Sequence, residues 1–316
     1  MIEKKEAKAT RFGYSEALME LAKTHSDVMV LDADLSKSVT TNKFHKEYPL
    51  QAVNVGIAEQ NMLGIAAGLS LAGKVPFVST YGVFVSGRAF DQIRTTICYS
   101  KLNVKIGGAH GGISVGPDGA THQALEEISL MRVLPEMKLI VPCDFYETKK
   151  ATLAAYQIPG PVYIRFGREP VPVITDESTP FVFGKANILS SGSDVSIIAC
   201  GVMVSEALSA AEVLAKEGIN ARVVNIHTIK PIDKEAIILA ARETGAIVTA
   251  EEHQLLGGFG SAIAEVVVQN NPVPMEFVGI EDTFGESGSP DQLMRAYHLT
   301  SQDIIEKVKK VLLRKK

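Results

Sequence analysis

Short, continuous apolar runs recur along this chain, and stretches with helical spacing lie between them. Val28-Met29-Val30-Leu31 follows a helical stretch from Ser15 to Lys23 and ends at Asp32 and Asp34. Val75-Pro76-Phe77-Val78 precedes a helix expected from Gly87 to Tyr99. Asn103 to Ile106 and Leu139-Ile140-Val141 bracket a helix from about Ala124 to Leu134, and Pro161-Val162-Tyr163-Ile164 closes the set. Strands that are apolar on both faces and alternate with helices call for a parallel sheet covered on both sides. Ligands of such sheets bind beyond the carboxyl ends of the strands.

A proline-rich, helix-poor stretch from Pro170 to Pro180 reads as a linker. The pattern then restarts. Val195 to Ala199, Ala221 to Val224 and Ala246 to Thr249 read as strands. Ser205 to Glu217, Gly260 to Val268 and Ser301 to Leu313 read as helices. The fold class expected is α/β with two doubly wound domains. Residues 1–180 form a mostly parallel one and residues 181–316 a smaller, Rossmann-like one. A length of 316 residues gives each domain enough chain for its own core.

Composition excludes several classes. The formal net charge of −4 argues against non-specific nucleic-acid binding. The three cysteines, Cys98, Cys143 and Cys200, are far apart and odd in number. They make neither a disulfide framework nor a zinc site, and buried thiols in a reducing cytoplasm are expected. Met1 to Glu6 is mixed in charge and is no signal peptide. No apolar run approaches the ~18 residues of a membrane span.

Three stretches carry chemistry. Glu59 lies in Gly56-Ile57-Ala58-Glu59-Gln60-Asn61-Met62, between a strand at Gln51 to Val55 and an apolar helix from Met62 to Leu69. A carboxyl buried there must find a partner or keep its proton. A first-turn acid favoured by the helix dipole is the plainer reading. The second stretch, Gly107 to Gln123, threads His110, Asp118 and His122 through dense glycine. Glycine allows close backbone approach to a ligand, and neutral imidazole both donates and accepts. The wide gap between the histidines, with no third ligand nearby, argues against a metal. The third stretch, Ser79 to Arg94, offers aromatic rings to a flat heterocycle. Core packing explains Phe90, at helical spacing with Ile93 and Ile97, better than it explains Tyr81 and Phe84. Two further features read as structural. Gly257-Gly258-Phe259-Gly260 is a tight turn before an anion site, and Glu251-Glu252-His253 is at least as much a charged surface strand end as a site.

In order and spacing these stretches resemble the transketolase family of thiamine diphosphate enzymes. The resemblance adds Ala9-Thr10-Arg11, Ala33-Asp34-Leu35-Ser36-Lys37-Ser38, Pro161 to Arg168, Thr228 to Asp233 and Glu252-His253. It covers essentially the whole chain as a pyrimidine-binding domain followed by a C-terminal domain. It implies that Glu59 bonds N1′ of the cofactor's aminopyrimidine. Tyr81 or Phe84 stacks on that ring, with Asp34 and Phe90 also at the cofactor. His110 and His122 contact substrate hydroxyl and phosphate groups and act as catalytic residues beside Glu59. Asp118 reads the C2 hydroxyl of an acceptor aldose. Arg11, Ser38 and Arg168 cradle a sugar phosphate, for which guanidinium forks are suited.

Family members hold the cofactor's diphosphate through Mg²⁺ or Ca²⁺ with a Gly-Asp-Gly motif on a preceding domain. This sequence has no Gly-Asp-Gly, and it starts almost directly at Arg11. The expectation is therefore the C-terminal half of a split transketolase. A separate N-terminal subunit carries the metal and diphosphate site, and this chain pairs with itself within a heterotetramer. The small-residue helix from Gly64 to Gly73 suits such packing. Three alternatives are a deoxyxylulose-phosphate synthase-like enzyme, the β subunit of a 2-oxoacid dehydrogenase, and a non-catalytic assembly subunit. Within the resemblance, His110 argues against the first, the arginine cradle against the second and Glu59 against the third.

Overall fold

The computed structural model describes residues 6–315. Met1 to Lys5 of the N-terminal segment, and Lys316, lie outside the described residues. In the first domain the order is β1 (Ala7–Ala9), α1 (Thr10–Ala22), β2 (Val28–Asp32), α2 (Asn42–Glu47), β3 (Ala52–Asn54), α3 (Glu59–Leu71), β4 (Val75–Tyr81) and α4 (Gly82–Arg88). After a π-helical turn over Gln92–Cys98 come β5 (Lys105–Ala109), α5 (Glu127–Val133), β6 (Lys138–Ile140), α6 (Phe145–Gln157), β7 (Val162–Phe166) and β8 (Pro170–Pro172). The second domain holds β9 (Asn187–Ser190), β10 (Val195–Ala199), α7 (Met203–Lys216), β11 (Ala221–Asn225), β12 (Thr228–Lys230), α8 (Lys234–Thr244) and β13 (Ile247–Gln254). It ends with α9 (Phe259–Asn270), β14 (Met275–Ile280), α10 (Pro290–Ala296) and α11 (Ser301–Leu312). No helix among the described residues is long and apolar enough to cross a membrane.

The expected parallel sheets are present. The first has seven strands in the order β12-β6-β7-β5-β4-β2-β3, and the second five in the order β14-β13-β10-β11-β9. Strands β2, β4, β5, β7 and β10 are buried along their whole length, as their continuous apolar runs require. One strand crosses the domain division. β12 runs antiparallel to β6, with Thr228 opposite Ile140, and Val141 N–H donates to the His227 carbonyl at 2.7 Å. One apolar core joins the domains too, from Leu139 and Val141 to Ile226, Ile229 and Val266.

Several elements differ from the sequence reading. The first helix begins at Thr10, five residues before the expected Ser15. Gly13 hid that start, and packing explains the glycine: a Cβ there would lie 2.2 Å from the Phe145 carbonyl oxygen of α6. The helix expected from Gly87 to Tyr99 is instead α4 plus the π turn, whose wider ring sets Ile93, Ile97 and Cys98 against the core. The proline-rich linker begins as β8, antiparallel to β1. Its Ile174 and Thr175 amides donate to the buried Asp144 carboxylate at 2.7 and 2.5 Å.

Glu251-Glu252-His253 is not a surface strand end. All three residues are buried in β13 at the contact between domains. The Gly257 run does contain a turn, with Gly257 at φ +71°. It also receives an acidic group, and that group is internal. The Glu251 carboxyl, which burial pushes up to about 8, accepts from the amides of Phe259 and Gly260 at 2.6 and 2.7 Å, at the start of α9.

Candidate active site

Strands β2, β4, β5 and β7 are parallel neighbours, so their carboxyl ends lie along one edge of the sheet, where a parallel sheet binds its ligands. Glu59 is the first residue of α3, after a turn made by Gly56 at φ +73°. It is 4 % exposed. The partner that burial demands is Arg88, whose Nη1 lies 3.1 Å from Glu59 Oε1. The Arg88 guanidinium also lies 4.0 Å from the centroid of the Phe84 ring. Upstream, Asp34 is exposed with φ +62° and accepts from Asn54 Nδ2 at 3.4 Å. Asn54 Oδ1 in turn accepts from Gly56 N–H at 2.8 Å, so Asp34 is tied to the turn that presents Glu59.

Tyr81 ends β4, and its buried ring stacks on His110 at 4.0 Å and on Phe84 at 5.5 Å. Phe84 is half-buried. His122 sits edge-on to both rings, 5.3 Å from Phe84 and 5.9 Å from Tyr81, with Nδ1 2.8 Å from Thr121 Oγ1. Phe90 is half-buried against the main core, which favours packing among its readings.

His110 follows β5 with φ +57°, and it is 1 % exposed with Nδ1 unpartnered. Burial, reinforced by the neighbouring Arg11, Arg168 and His122, pushes its imidazole down to about 3. Arg11 Nη1 donates to the Ser38 carbonyl at 3.0 Å. Burial and then Arg168 lower the Arg11 guanidinium from its ordinary value. Arg168 pairs with Asp118 at 3.1 Å, so two residues assigned to separate substrate groups meet each other. Ser38 contributes its carbonyl rather than its hydroxyl to the Arg11 contact.

The glycines of the His110 stretch divide into two kinds. Gly107 and Gly108 belong to β5, and their missing side chains admit tyrosines of the protein itself. A Cβ on Gly108 would lie 2.0 Å from Tyr163 Oη, and one on Gly107 2.7 Å from Tyr14 Oη. Gly112 and Gly116, with φ +92° and +84°, shape the loop. No group of three or more metal-binding side chains occurs among the described residues.

An aminopyrimidine needs a carboxylate and an aromatic face within one ring's width. Here a planar, nitrogen-rich guanidinium touches both Glu59 and Phe84 at once, so this pair fits such a ring. Sequence reasoning gave Arg88 no such role. No local pattern marks it, because its partner stands 29 residues away.

Comparisons with known proteins identify the family. The family profile described as "Transketolase, pyrimidine binding domain" matches residues 6–173, and "Transketolase, C-terminal domain" matches residues 184–304. A Methanocaldococcus jannaschii chain, described provisionally as a transketolase C-terminal section, is 45% identical over 95% of this chain and 95% of its own length. The 6-deoxy-6-sulfo-D-fructose transketolase subunit SqwH of a Clostridium species is 43% identical over 96% of this chain and 94% of its own. A solved structure described as "Split gene transketolase, inactive beta4 tetramer" superposes with a TM-score of 0.91 at 48% identity, covering 98% of this chain and all of that one. The chain belongs to the transketolase family, of which it carries the pyrimidine-binding and C-terminal domains in that order.

Proposed function

We propose that this chain is the C-terminal subunit of a split, thiamine diphosphate-dependent transketolase. It works with a separate N-terminal subunit and moves a two-carbon ketol unit from a ketose to an aldose. The carrying observation is the Glu59–Arg88–Phe84 contact, in which one planar nitrogen group reaches a buried carboxyl and an aromatic face together. We assign the diphosphate and its Mg²⁺ or Ca²⁺ to the N-terminal subunit, because Gly-Asp-Gly is missing from this sequence. The neighbour described as an inactive β4 tetramer supports both self-association and dependence on another chain. We divide the chain at 180/181, between the two matched profiles. Free, buried Cys98, Cys143 and Cys200 support a cytoplasmic setting.

Thiamine diphosphate, when bound, supplies the carbon nucleophile and the electron sink. This chain's residues bind and orient. Glu59 holds N1′ of the aminopyrimidine. Phe84 is the stacking face, since Tyr81 is buried against His110. Neutral His110 donates to or accepts from a substrate oxygen across the physiological range. His122 reaches the same side of the site.

Arg11 and Arg168 hold the anionic tail of the sugar. The SqwH subunit acts on a sulfonated sugar, so the shared chemistry is a terminal anion, and phosphate is our choice for this chain. Asp118 reads the acceptor's C2 hydroxyl, and the tail anion competes with it for Arg168. The test is to mix the chain with its N-terminal subunit, thiamine diphosphate and Mg²⁺. Ketol transfer between sugar phosphates is expected in the mixture and from neither subunit alone. Full activity of this chain by itself, or none in the assembled complex, would overturn the assignment.

A further inference from the structure

The loop that carries Asp118 and His122 is held from outside its own domain. Glu252, at the buried end of β13, reaches across the domain contact. Its Oε1 accepts from the Ser114 amide at 2.6 Å, midway along the loop. Gly112 makes the approach feasible, because a Cβ there would stand 2.1 Å from the Glu252 carboxyl carbon.

Arg165 of β7 anchors the base of the clamp. It donates to the Glu252 carbonyl at 2.8 Å and to Glu127 Oε1 at 2.5 Å. The far end of the loop is fixed by Gln123, whose Nε2 donates to the Ile113 carbonyl at 3.2 Å and to the Glu286 carbonyl of the second domain at 3.0 Å. Gly119 completes the contact, since a Cβ there would lie 2.6 Å from Ser287 Oγ.

We infer that Glu252 is a positioning residue for ketol transfer: by holding the Ser114 amide, the C-terminal domain sets where Asp118 and His122 meet the sugar. The inference rests on the proposed transketolase reading. Burial raises the Glu252 carboxyl above its usual range, opposed by Arg165, and a neutral acceptor serves the amide equally well. Glu59 stands on another element, and the loop meets the proposed cofactor face only edge-on, through His122 against Phe84 at 5.3 Å, so Glu252 acts first on sugar binding. A contact held equally in ground and transition states appears in KM rather than kcat.

The test compares wild type, Glu252→Ala and Glu252→Gln, each assembled with the N-terminal subunit. Glu252→Ala should raise KM for the sugar phosphate roughly ten- to a hundredfold, as a lost buried hydrogen bond does, with kcat within about threefold. Glu252→Gln, which keeps an acceptor oxygen, should restore KM. Hydrogen exchange on the isolated chain should speed up in the 111–123 segment of Glu252→Ala and return with Glu252→Gln. If Glu252→Ala fails to fold, Glu252→Asp, which withdraws the acceptor from the Ser114 amide by one methylene, should raise KM in the same direction.

An unchanged KM in the folded variant, or equal losses with Ala and Gln, would overturn this role while wild-type ketol transfer upholds the broader reading. Absence of ketol transfer in the assembled wild type would overturn both. The exchange measurement still reports separately whether Glu252 holds the loop.

Discussion

Nη1 of Arg88 lies 3.1 Å from Oε1 of Glu59, and the same guanidinium covers the Phe84 ring. A carboxylate taken out of water at the start of a helix is thereby matched by a cation that is itself half in solvent. The exposed Arg88 can swing into solvent, but the buried Glu59 it leaves must then take another donor in its place. Glu59 is stable in the folded chain and still available to another planar nitrogen donor.

Replacing Glu59 by Gln should cut turnover of the assembled enzyme by at least about 10²-fold, the usual scale for losing a proton-handling group. Folding should change by no more than about 1–2 kcal/mol, because the Gln oxygen can still accept from Arg88 Nη1. Turnover and thermal unfolding measured on one preparation separate the two effects. A folded, assembled variant with normal turnover would remove Glu59 from the chemistry.

Asp118→Ala should discriminate between acceptors. Aldehydes with a C2 hydroxyl should lose roughly ten- to a hundredfold in kcat/KM, the value of one buried hydrogen bond, and acceptors lacking that hydroxyl much less. Steady-state rates with a matched pair of acceptors give the answer. Equal losses would point to the Arg168 contact instead.

Acid should destabilise the chain through His110. Its folded-state value, about 3, lies below its ordinary 6.5. Above pH 6.5 both folded and unfolded forms are neutral there. As pH falls from 6.5 toward 3, the unfolded chain takes up a proton that the folded one refuses, and stability is lost. His110→Gln removes this titration, so its stability relative to wild type should improve by about 2 kcal/mol between pH 7 and pH 5. Denaturant unfolding of both proteins at the two pH values tests it, and a pH-independent difference would contradict the neutral, buried assignment.

Gly108→Ala should destabilise the fold by about 1–3 kcal/mol or more, since the new methyl meets the ring of fully buried Tyr163. Calorimetry would register the loss. If the glycine served ligand approach alone, cofactor binding would fall and thermal stability would not.

The sheet strands were legible because burial on both faces writes an unbroken apolar run, as in Val28–Asp32 and Val195–Ala199. Glu59 stood out because a carboxyl opens a helix apolar enough to be buried, and it is buried in the folded chain. Helix α6 was overlooked because its buried face includes the small or polar side chains of Ala151, Thr152 and Ala155. Its start was nevertheless spelled out: Asp144 and Glu147 have capping-box spacing, and Asp144 does cap the helix. Arg88 left no local trace, and Glu252 stood out only as part of the acidic strand end Glu251-Glu252-His253, without its partner. Their contacts span 29 and 138 residues, and only the folded chain brings them to their partners.

Strand β12 has a consequence for any attempt to dissect the chain. Without it, β6 would close the sheet with a bare row of amides and carbonyls, open to pairing with another copy. A fragment stopping at residue 180 would carry that raw edge and should aggregate. The second domain thus acts as an edge guard for the first.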